Sequence, residues 1–304
     1  TGCHGAVGTC MAAYLRREQP EVEVHGMGRA PREPVDAELY GQFDYRLDLR
    51  SRGAVLAIVE REQYDAIFHF ASDADVAASF WRPVDVLDNN IMSTAVLFDA
   101  VRRASAKTVV VLASTSEVYG ICEHGLPVDE QAPLAPANPY AVSKAAQDLL
   151  AKMYYEAYGT KIVRVRMFGY FNPHRSNLFS SAFARQIAEI EQRRRDVLRH
   201  GNLESRRTLM DVRDACDAYW LAFAKARPGE AYNVGSDHAH RVGNILDAMI
   251  VEATCPIRCE PDPKKHVLAH VFKVVIDPFV GKVGAFRVHQ GTVTRDTQLF
   301  IGDG

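Results

Sequence analysis

Long hydrophobic runs are missing from this chain: no apolar stretch reaches the roughly 18 residues that a membrane-spanning helix needs. The N-terminus lacks the charged and apolar regions of a secretory signal. Cysteine is sparse, six residues scattered over 304, which argues against a disulfide framework and suits a reducing compartment. Excess charge of either sign is lacking too, since a net charge of −2 gives no pull toward nucleic acid or an anionic membrane surface. The expectation is a cytoplasmic protein with no membrane or nucleic-acid partner. One cysteine–histidine grouping, Cys255-x3-Cys259 followed by His266 and His270, has its pairs much closer together than the ~12 residues of a zinc finger. It reads as two small cysteines and two strand histidines, so no metal is expected.

What is present centres on Ser114-Thr115-Ser116-Glu117-Val118-Tyr119-Gly120, read with Tyr140-Ala141-Val142-Ser143-Lys144. The apolar, β-branched run Thr108–Ala113 before the first stretch has the pattern of a buried strand. The second stretch opens a helical pattern over Tyr140–Tyr158, which puts Tyr140 and Lys144 one turn apart on one face. A hydroxyl at a strand end thus faces a phenol and an ammonium. A phenol, with a pKa near 10, is too weak a base at neutral pH unless a neighbouring cation favours its anion. Lys144 is that cation. Tyr140 can then exchange a proton with an alcohol or carbonyl as hydride moves to or from a nicotinamide, with Thr115 holding the same oxygen. Glu117 adds a carboxylate able to move a second proton, from carbon.

The chain opens on Thr1-Gly2-Cys3-His4-Gly5-Ala6-Val7-Gly8, followed by helix-compatible residues. Such glycines allow a tight turn and bring backbone N–H groups close to a pyrophosphate at a helix N-terminus. A strand should precede this loop; its absence leads us to expect a fragment lacking a few residues. Val22–Arg29 reads as a short strand. Arg29 at its end would favour the 2′-phosphate of NADP, where an acid would favour NAD. Tyr45–Leu49 ends a third strand, Ala54–Arg61 reads as a helix, and Ala66–Ala71 as a core strand whose His69 is a satisfied buried histidine. A long helix is expected from Asn90 to Arg103. Strands alternating with helices imply an α/β, doubly wound parallel sheet of Rossmann-like type, first strand missing. Its ligand would lie at the carboxyl ends of the strands, where Gly5, Asp48, Ala71 and Thr115 fall.

Beyond a proline-rich loop and the Tyr140 helix come a strand at Lys161–Arg166, an irregular loop at 169–176, and helices at Ser180–Gln192, Asp211–Ala226 and Val242–Val251. A short strand is expected at Ala231–Val234. Residues 1–168, with 211–236 returning to them, would form the cofactor domain, and 169–262 a smaller mixed substrate lobe. After Pro263 the chain turns dense in β-branched residues without helical periodicity, so 264–304 reads as a short all-β tail.

Residues 1–262 resemble the extended short-chain dehydrogenase/reductase family that acts on nucleotide sugars. The likeness rests on Thr1-Gly2-x2-Gly5-x2-Gly8, Asp48-Leu49, the Ser114–Gly120 stretch and Asn138-Pro139-Tyr140-Ala141-x-Ser143-Lys144. It implies that Gly2, Gly5 and Gly8 hold the cofactor diphosphate and Asp48 and Leu49 the adenine, with Ala71 beside the cofactor. Thr115, Tyr140 and Lys144 would carry catalysis, with Glu117 serving in dehydratase-type members. Val24-His25-Gly26 and Ser114–Glu117 are similar to GDP-mannose 4,6-dehydratases. Gly201–Glu204, Asp211–Asp214, Ala218–Trp220 and Gly229–Ser236 are similar to GDP-4-keto-6-deoxy-mannose reductases and cover more of the substrate lobe. A reductase using NADP, with NAD the alternative, is the expectation; the alternative activity is that of a GDP-mannose 4,6-dehydratase or another nucleotide-sugar epimerase/dehydratase. The partners implied are a GDP-sugar and a second copy in a homodimer, with Asn172, Asn202 and Arg207 toward the substrate. Three departures from the family pattern stand out: Gly169 where an asparagine is usual, Thr208 after Arg207, and the loss of the arginine segment after Asp262-Pro263. A catalytically impaired fold of this type is one alternative reading.

The tail resembles a different family. Val271–Val275, Asp277–Lys282 and Phe286-Arg287-Val288-x2-Gly291-Thr292 look like the start of the second, β-barrel domain of elongation factor G. The expected origin is a joined reading frame, and a translation-factor-like binding module with ribosome contact is the remaining alternative.

Overall fold

Alternation along the strand Val109–Thr115 sends Val110 and Leu112 to one face of a sheet and Val111 to the other. The neighbouring strand Ile162–Met167 divides in the same way, Ile162 against Val163 and Val165. A strand buried on both faces is largely apolar, as Val109–Ala113 is; Ile162–Met167 alternates instead, because its buried Arg164 and Arg166 are paired with Asp148. In a computed structural model of the chain, residues 1–29, 44–121, 127–175, 178–261, 268–277 and 281–290 are described, the last two ranges as backbone. They divide into two units, one of residues 1–175 and 208–237, the other of 176–207 and 238–304.

In the first unit, Ala66–His69, Val109–Thr115, Ile162–Met167 and Ala231–Val234 lie side by side in that order, all parallel. One face is covered by helices Arg52–Glu62, Ser93–Ala104 and Pro139–Tyr158, whose Val55, Val59, Leu97, Phe98 and Ala151 pack on Val110, Leu112 and Ile162. The other face takes helices Ala6–Glu18 and Val212–Lys225 through Met11, Leu15, Ala215 and Tyr219. This is the doubly wound α/β arrangement. Each large apolar side chain fully buried here contributes about 1.5–3 kcal/mol, which anchors the strand ends that carry the chemistry.

Several expected elements are shorter or differently wound. The strand expected over Val22–Arg29 is only Met27–Gly28, paired in parallel with Tyr45–Arg46. Thr1 and Gly2 stand between this pair and the four-stranded sheet. The Thr1 amino group donates to the Phe68 carbonyl at 2.7 Å, the Phe70 amide donates to the Thr1 carbonyl, and the Gly2 amide donates to Met27 at 2.8 Å. The helix expected from Asn90 opens instead with a π turn, Asp88–Met92, before Ser93–Ala104. The extra residue in that turn lets the buried Asn90 reach outward. Its amide nitrogen donates to the Asp73 carbonyl and to Ser143 Oγ, and its side-chain oxygen accepts from the Asp73 amide; π turns commonly mark such functional distortions. Helices Val76–Trp81 and Pro83–Leu87 were not anticipated; Asp75 caps the first by accepting from Ala78 N. Residues 169–175 group with the first unit because Tyr170–Phe171 pairs with Met210–Asp211.

In the second unit, helices Phe179–Glu191 and Val242–Val251 close a core of Phe183, Ile187, Leu198 and Leu246. Strands Leu198–His200 and Cys259–Pro261 pair in parallel. Gln186 joins helix to strand, donating to the Arg199 carbonyl and accepting from its amide. Cys255 and Cys259 are half-buried against this core; His266 lies outside the described residues. The strands Leu268–Asp277 and Gly281–Gln290 form an antiparallel pair. Among the described residues no helix is long and apolar enough to cross a membrane.

Candidate active site

Gly2 has φ +72°, and a Cβ there would lie 2.7 Å from the Ala71 amide nitrogen. The Gly5 amide donates to the Gly2 carbonyl at 2.8 Å, closing the turn. Gly5 then serves as N-cap of helix Ala6–Glu18 without any side-chain cap, and no acid stands in the first turn. The first amides of that helix are thereby left for a ligand, and its positive end is not neutralised. At Gly8 a Cβ would sit 2.2 Å from the Gly2 carbonyl oxygen. Only glycine lets the helix pack so closely on the turn. This cradle fits an anionic diphosphate, so the residues suit the nicotinamide cofactor that the sequence implied.

At the next strand ends, Arg29 is exposed after Met27–Gly28. The Asp48 carboxylate accepts from the Arg50 amide at 2.9 Å and from its guanidinium at 2.8 Å, and these bonds hold its pKa at about 2. Leu49 is buried with Met27 and Val55 in the core, so its backbone is what the strand end presents. Ala71 closes on Gly2, its amide donating to Thr1 Oγ1 at 3.4 Å. His69 has one ring nitrogen 2.7 Å from Thr1 Oγ1 and the other 2.9 Å from Thr94 Oγ1. Burial pushes its pKa well down, so it is a neutral core histidine.

The catalytic candidates meet at the end of Val109–Thr115. The Thr115 hydroxyl hydrogen-bonds the Tyr140 phenol and accepts from the Glu117 amide at 3.3 Å. Tyr140 stands in the first turn of Pro139–Tyr158, started by Asn138, whose side-chain oxygen caps the Ala141 amide at 2.8 Å, with Pro139 preset for the first helical position. One turn on, Lys144 Nζ donates to the Ala113 carbonyl at 2.8 Å. Both side chains are buried. Burial drives the Tyr140 phenol well above its ordinary value, against the lowering pull of the Arg175 guanidinium and with a further push from Glu117. Burial, with Arg175 again adding, draws the Lys144 ammonium down to about 7.

Three residues to which sequence reasoning gave no role complete the site. Asn138 Nδ2 donates to Glu117 Oε2 at 2.9 Å, holding that carboxylate beside the helix start. Arg175, held by the Ala74 carbonyl at 2.7 Å, brings the cation already noted. Asp148, one turn beyond Lys144 and wholly buried, accepts from Ser114 Oγ, Arg164 and Arg166 at 2.8–3.0 Å. Arg166 in turn donates to Tyr119 OH, which donates to Asn233. An Asn-Pro pair before an apolar helix does signal a cap; nothing in the sequence signals the Asp148 cluster, because its members come from four separate segments.

The substrate candidates are more dispersed. Asn172 is buried, donating to the Ala6 carbonyl at 3.1 Å and accepting from the His174 amide at 2.9 Å, so it ties its loop to the cofactor helix. Gly169, where the resemblance led us to look for asparagine, abuts the Thr208 carbonyl: a Cβ would be 2.3 Å from that oxygen. Asn202 and Arg207 belong to the second unit, the first accepting from the Glu204 amide and the second exposed.

The sequence profile of the GDP-mannose 4,6 dehydratase family matches residues 1–278, past the boundary expected near Pro263. The chain is 30% identical over 196 residues to dTDP-D-glucose 4,6-dehydratase of Mus musculus, covering 64% of this chain and 54% of that protein. It is 28% identical over 204 residues to GDP-6-deoxy-D-mannose reductase of Pseudomonas aeruginosa, covering 66% and 67%. The solved structure of RMD from Pseudomonas aeruginosa complexed with NADPH superposes with a TM-score of 0.73 at 26% identity, over 86% of this chain and 83% of that one. The match spans about half the length of the dTDP-D-glucose dehydratase.

Proposed function

This chain belongs to the GDP-mannose 4,6 dehydratase family, and from that premise we propose that it is an NAD(P)-dependent nucleotide-sugar oxidoreductase that reduces GDP-4-keto-6-deoxy-mannose. The observation that carries the reading is the meeting of Thr115, Tyr140 and Lys144 beside the glycine cradle of Gly2, Gly5 and Gly8. A nicotinamide cofactor, when bound, supplies the hydride. Thr115 and Tyr140 together hold the C4 carbonyl oxygen of the sugar, and Tyr140 gives it a proton as hydride arrives at carbon. Lys144, leaving the Ala113 carbonyl for the cofactor ribose, stabilises the resulting phenolate. Arg29, exposed at the end of its strand, favours the 2′-phosphate of NADP. Asn202 and Arg207 are carried by the second unit, which we read as the substrate lobe.

A second reading, 4,6-dehydration, is favoured by one observation: Glu117 lies near enough to Tyr140 for its charge to raise the phenol. There Tyr140 would take the C4 hydroxyl proton while a bound nicotinamide would accept the C4 hydride; Glu117 would then remove the C5 proton, water would leave from C6, and the same hydride would be returned to C6. Incubation with GDP-mannose or dTDP-glucose without added reductant distinguishes the two, since a 4-keto product overturns the reductase reading. Failure to quench NADPH or NADH fluorescence would overturn both.

The homodimer expected from the sequence is supported by exposed apolar residues on adjoining helices. Val142, Leu149 and Met153 of Pro139–Tyr158 are 42%, 55% and 39% exposed, and Trp81 and Val84 are 76% and 74% exposed. Light scattering after gel filtration tests this, and a monomeric mass would refute it.

A further inference from the structure

Ser114 and Tyr119 bracket the catalytic stretch, and both are tied to one buried ion pair. Ser114 Oγ, just before Thr115, donates to Asp148 Oδ2 at 2.8 Å. At the other end, Tyr119 OH accepts from Arg166 at 2.8 Å and donates to Asn233 Oδ1 at 2.7 Å. The Arg166 guanidinium also lies over the Tyr119 ring, 5.1 Å from its centre. Between these anchors Thr115 ends its strand and Glu117 rides on the short 3-10 turn Ser116–Tyr119. A turn of this kind has poor internal hydrogen-bond geometry. Its place is therefore set by what holds its flanks.

Arg166 and Asp148 meet as a fork, Nε 3.0 Å from Oδ2 and Nη2 2.8 Å from Oδ1. Such two-point pairing fixes orientation as well as distance. The remaining nitrogen, Nη1, reaches the turn and the loop after it, donating to Tyr119 OH and to the Glu130 carbonyl at 3.0 Å. The same loop is gathered by Asn233, whose amide donates to Glu130 Oε1 at 2.7 Å and whose side chain donates to the Val128 carbonyl at 2.8 Å. Further along, the Ala135 amide donates to the Val118 carbonyl at 2.9 Å. That loop leads to Asn138, which holds Glu117. Asp148 belongs to the Tyr140 helix, so one carboxylate links that helix to the Thr115 strand. Arg164 shares Asp148 but gives its Nη2 to the Gly229 carbonyl at 2.7 Å instead of to the turn.

We propose that Arg166 is a positioning residue for the reaction, fixing Thr115 and Glu117 against Tyr140 through Tyr119 and the Glu130 carbonyl. The inference rests on the reading of Thr115 and Tyr140 as the pair that handles the sugar oxygen. Both arginines neutralise Asp148, but only Arg166 extends bonds into the catalytic stretch. Lysine cannot take its place: an ammonium donates from a single point, whereas Arg166 directs four N–H groups to three partners. A shift of the turn by about 1 Å suffices for a rate loss on the order of 10²-fold.

The test compares Arg166→Lys, Tyr119→Phe and Arg164→Lys in the whole chain, by amide hydrogen exchange and by steady-state kinetics. The Gly120 and Ala135 amides bond the Glu117 and Val118 carbonyls, and the Val110 amide bonds Lys161 within the sheet. Arg166→Lys and Tyr119→Phe should speed exchange at Gly120 and Ala135 about ten-fold or more while Val110 stays protected. Arg164→Lys should leave Gly120 and Ala135 protected. In turnover, Arg166→Lys should lower kcat about 10²-fold with KM and NADPH affinity within about two-fold, a split that general loss of stability does not give. Added to Thr115→Val, it should cost less than about two-fold more, since both act at one place. Tyr119→Phe keeps the ring packed under the guanidinium, so it reports even where Arg166→Lys does not fold. Unchanged exchange at Gly120 and Ala135, or equal speeding at Val110, overturns the proposal. With an active parent, an equal kcat loss in Arg164→Lys overturns it alone. A parent that turns over neither GDP-4-keto-6-deoxy-mannose nor GDP-mannose fails the catalytic reading, and the proposal with it.

Discussion

Asn138 joins the start of the Tyr140 helix to Glu117: its oxygen caps the Ala141 amide at 2.8 Å while its nitrogen donates to Glu117 Oε2 at 2.9 Å. One side chain thus sets the helix origin and the orientation of the second carboxylate. Asn138→Ala should lose about 1 kcal/mol of stability through the cap and release Glu117. Asn138→Asp keeps the cap but replaces the hydrogen bond to Glu117 with a second carboxylate, so the two repel each other. Chemical denaturation and the pH profile of turnover separate these effects. An unchanged profile in Asn138→Asp would show that Glu117 takes no part in the reaction.

Tyr140→Phe should bind NADPH within about two-fold of the parent while turnover falls about 10²–10⁴-fold, because only the proton path is removed. Fluorescence titration and steady-state rates on the same preparation check both halves. Retained turnover refutes Tyr140 as the acid.

Lys144 gives a stability test without substrate. Its folded-state pKa is drawn down to about 7 from an ordinary 10.5. Below pH 7 both states hold the proton and the buried charge destabilises in full. Between those values only the unfolded chain keeps it, so stability rises with pH across that window. Relative to Lys144→Met, the parent should gain stability from pH 7 to 10, measured by urea unfolding. A flat difference would place the ammonium in a solvated site.

Asp148 is buried between Arg164 and Arg166. Burial raises its carboxyl, but the bonds from Arg166 and the two guanidinium charges outweigh this and hold it below the usual range. Asp148→Asn leaves two cations short of a partner and should cost about 3–5 kcal/mol. Its contribution is present above the unfolded carboxylate value and fades as pH falls through the lowered one. A loss under 1 kcal/mol would mean the arginines find other acceptors.

Gly8→Ala would set a Cβ 2.2 Å from the Gly2 carbonyl, so the turn must open. Cofactor affinity should fall at least about ten-fold, with loss of the close helix approach, while circular dichroism stays close to that of the parent. Equal affinity would remove the turn from the cofactor site.

How much of this was legible in the chain depended on whether the governing interactions were local. The helix expected over Tyr140–Tyr158 and the strand leading to Thr115 follow from apolar periodicity, so Tyr140, Lys144 and Thr115 could be named, and even brought together, from residue types alone; the structure starts that helix one residue earlier, at Pro139. Val22–Arg29 misled, since its β-branched residues suggest a strand four times as long as the two residues that the pairing supplies. A strand lasts only as far as a neighbour bonds it, and Met27–Gly28 has Tyr45–Arg46 for two residues. The π turn at Asp88–Met92 was invisible for the same kind of reason, because Asn90 distorts its helix to reach Asp73 and Ser143.

By itself the sequence determined the alternating α/β plan, the glycine turn and the Thr115–Tyr140–Lys144 chemistry, because these arise from short-range pattern and intrinsic residue chemistry. Tertiary structure alone decided that Asn138 holds Glu117, that Arg175 brings its charge to Tyr140, and that Asp148 is locked between two arginines. Those outcomes depend on groups far apart in the chain meeting in a low-dielectric interior, where an unpaired polar group or open strand edge is costly, and no local pattern encodes who meets whom.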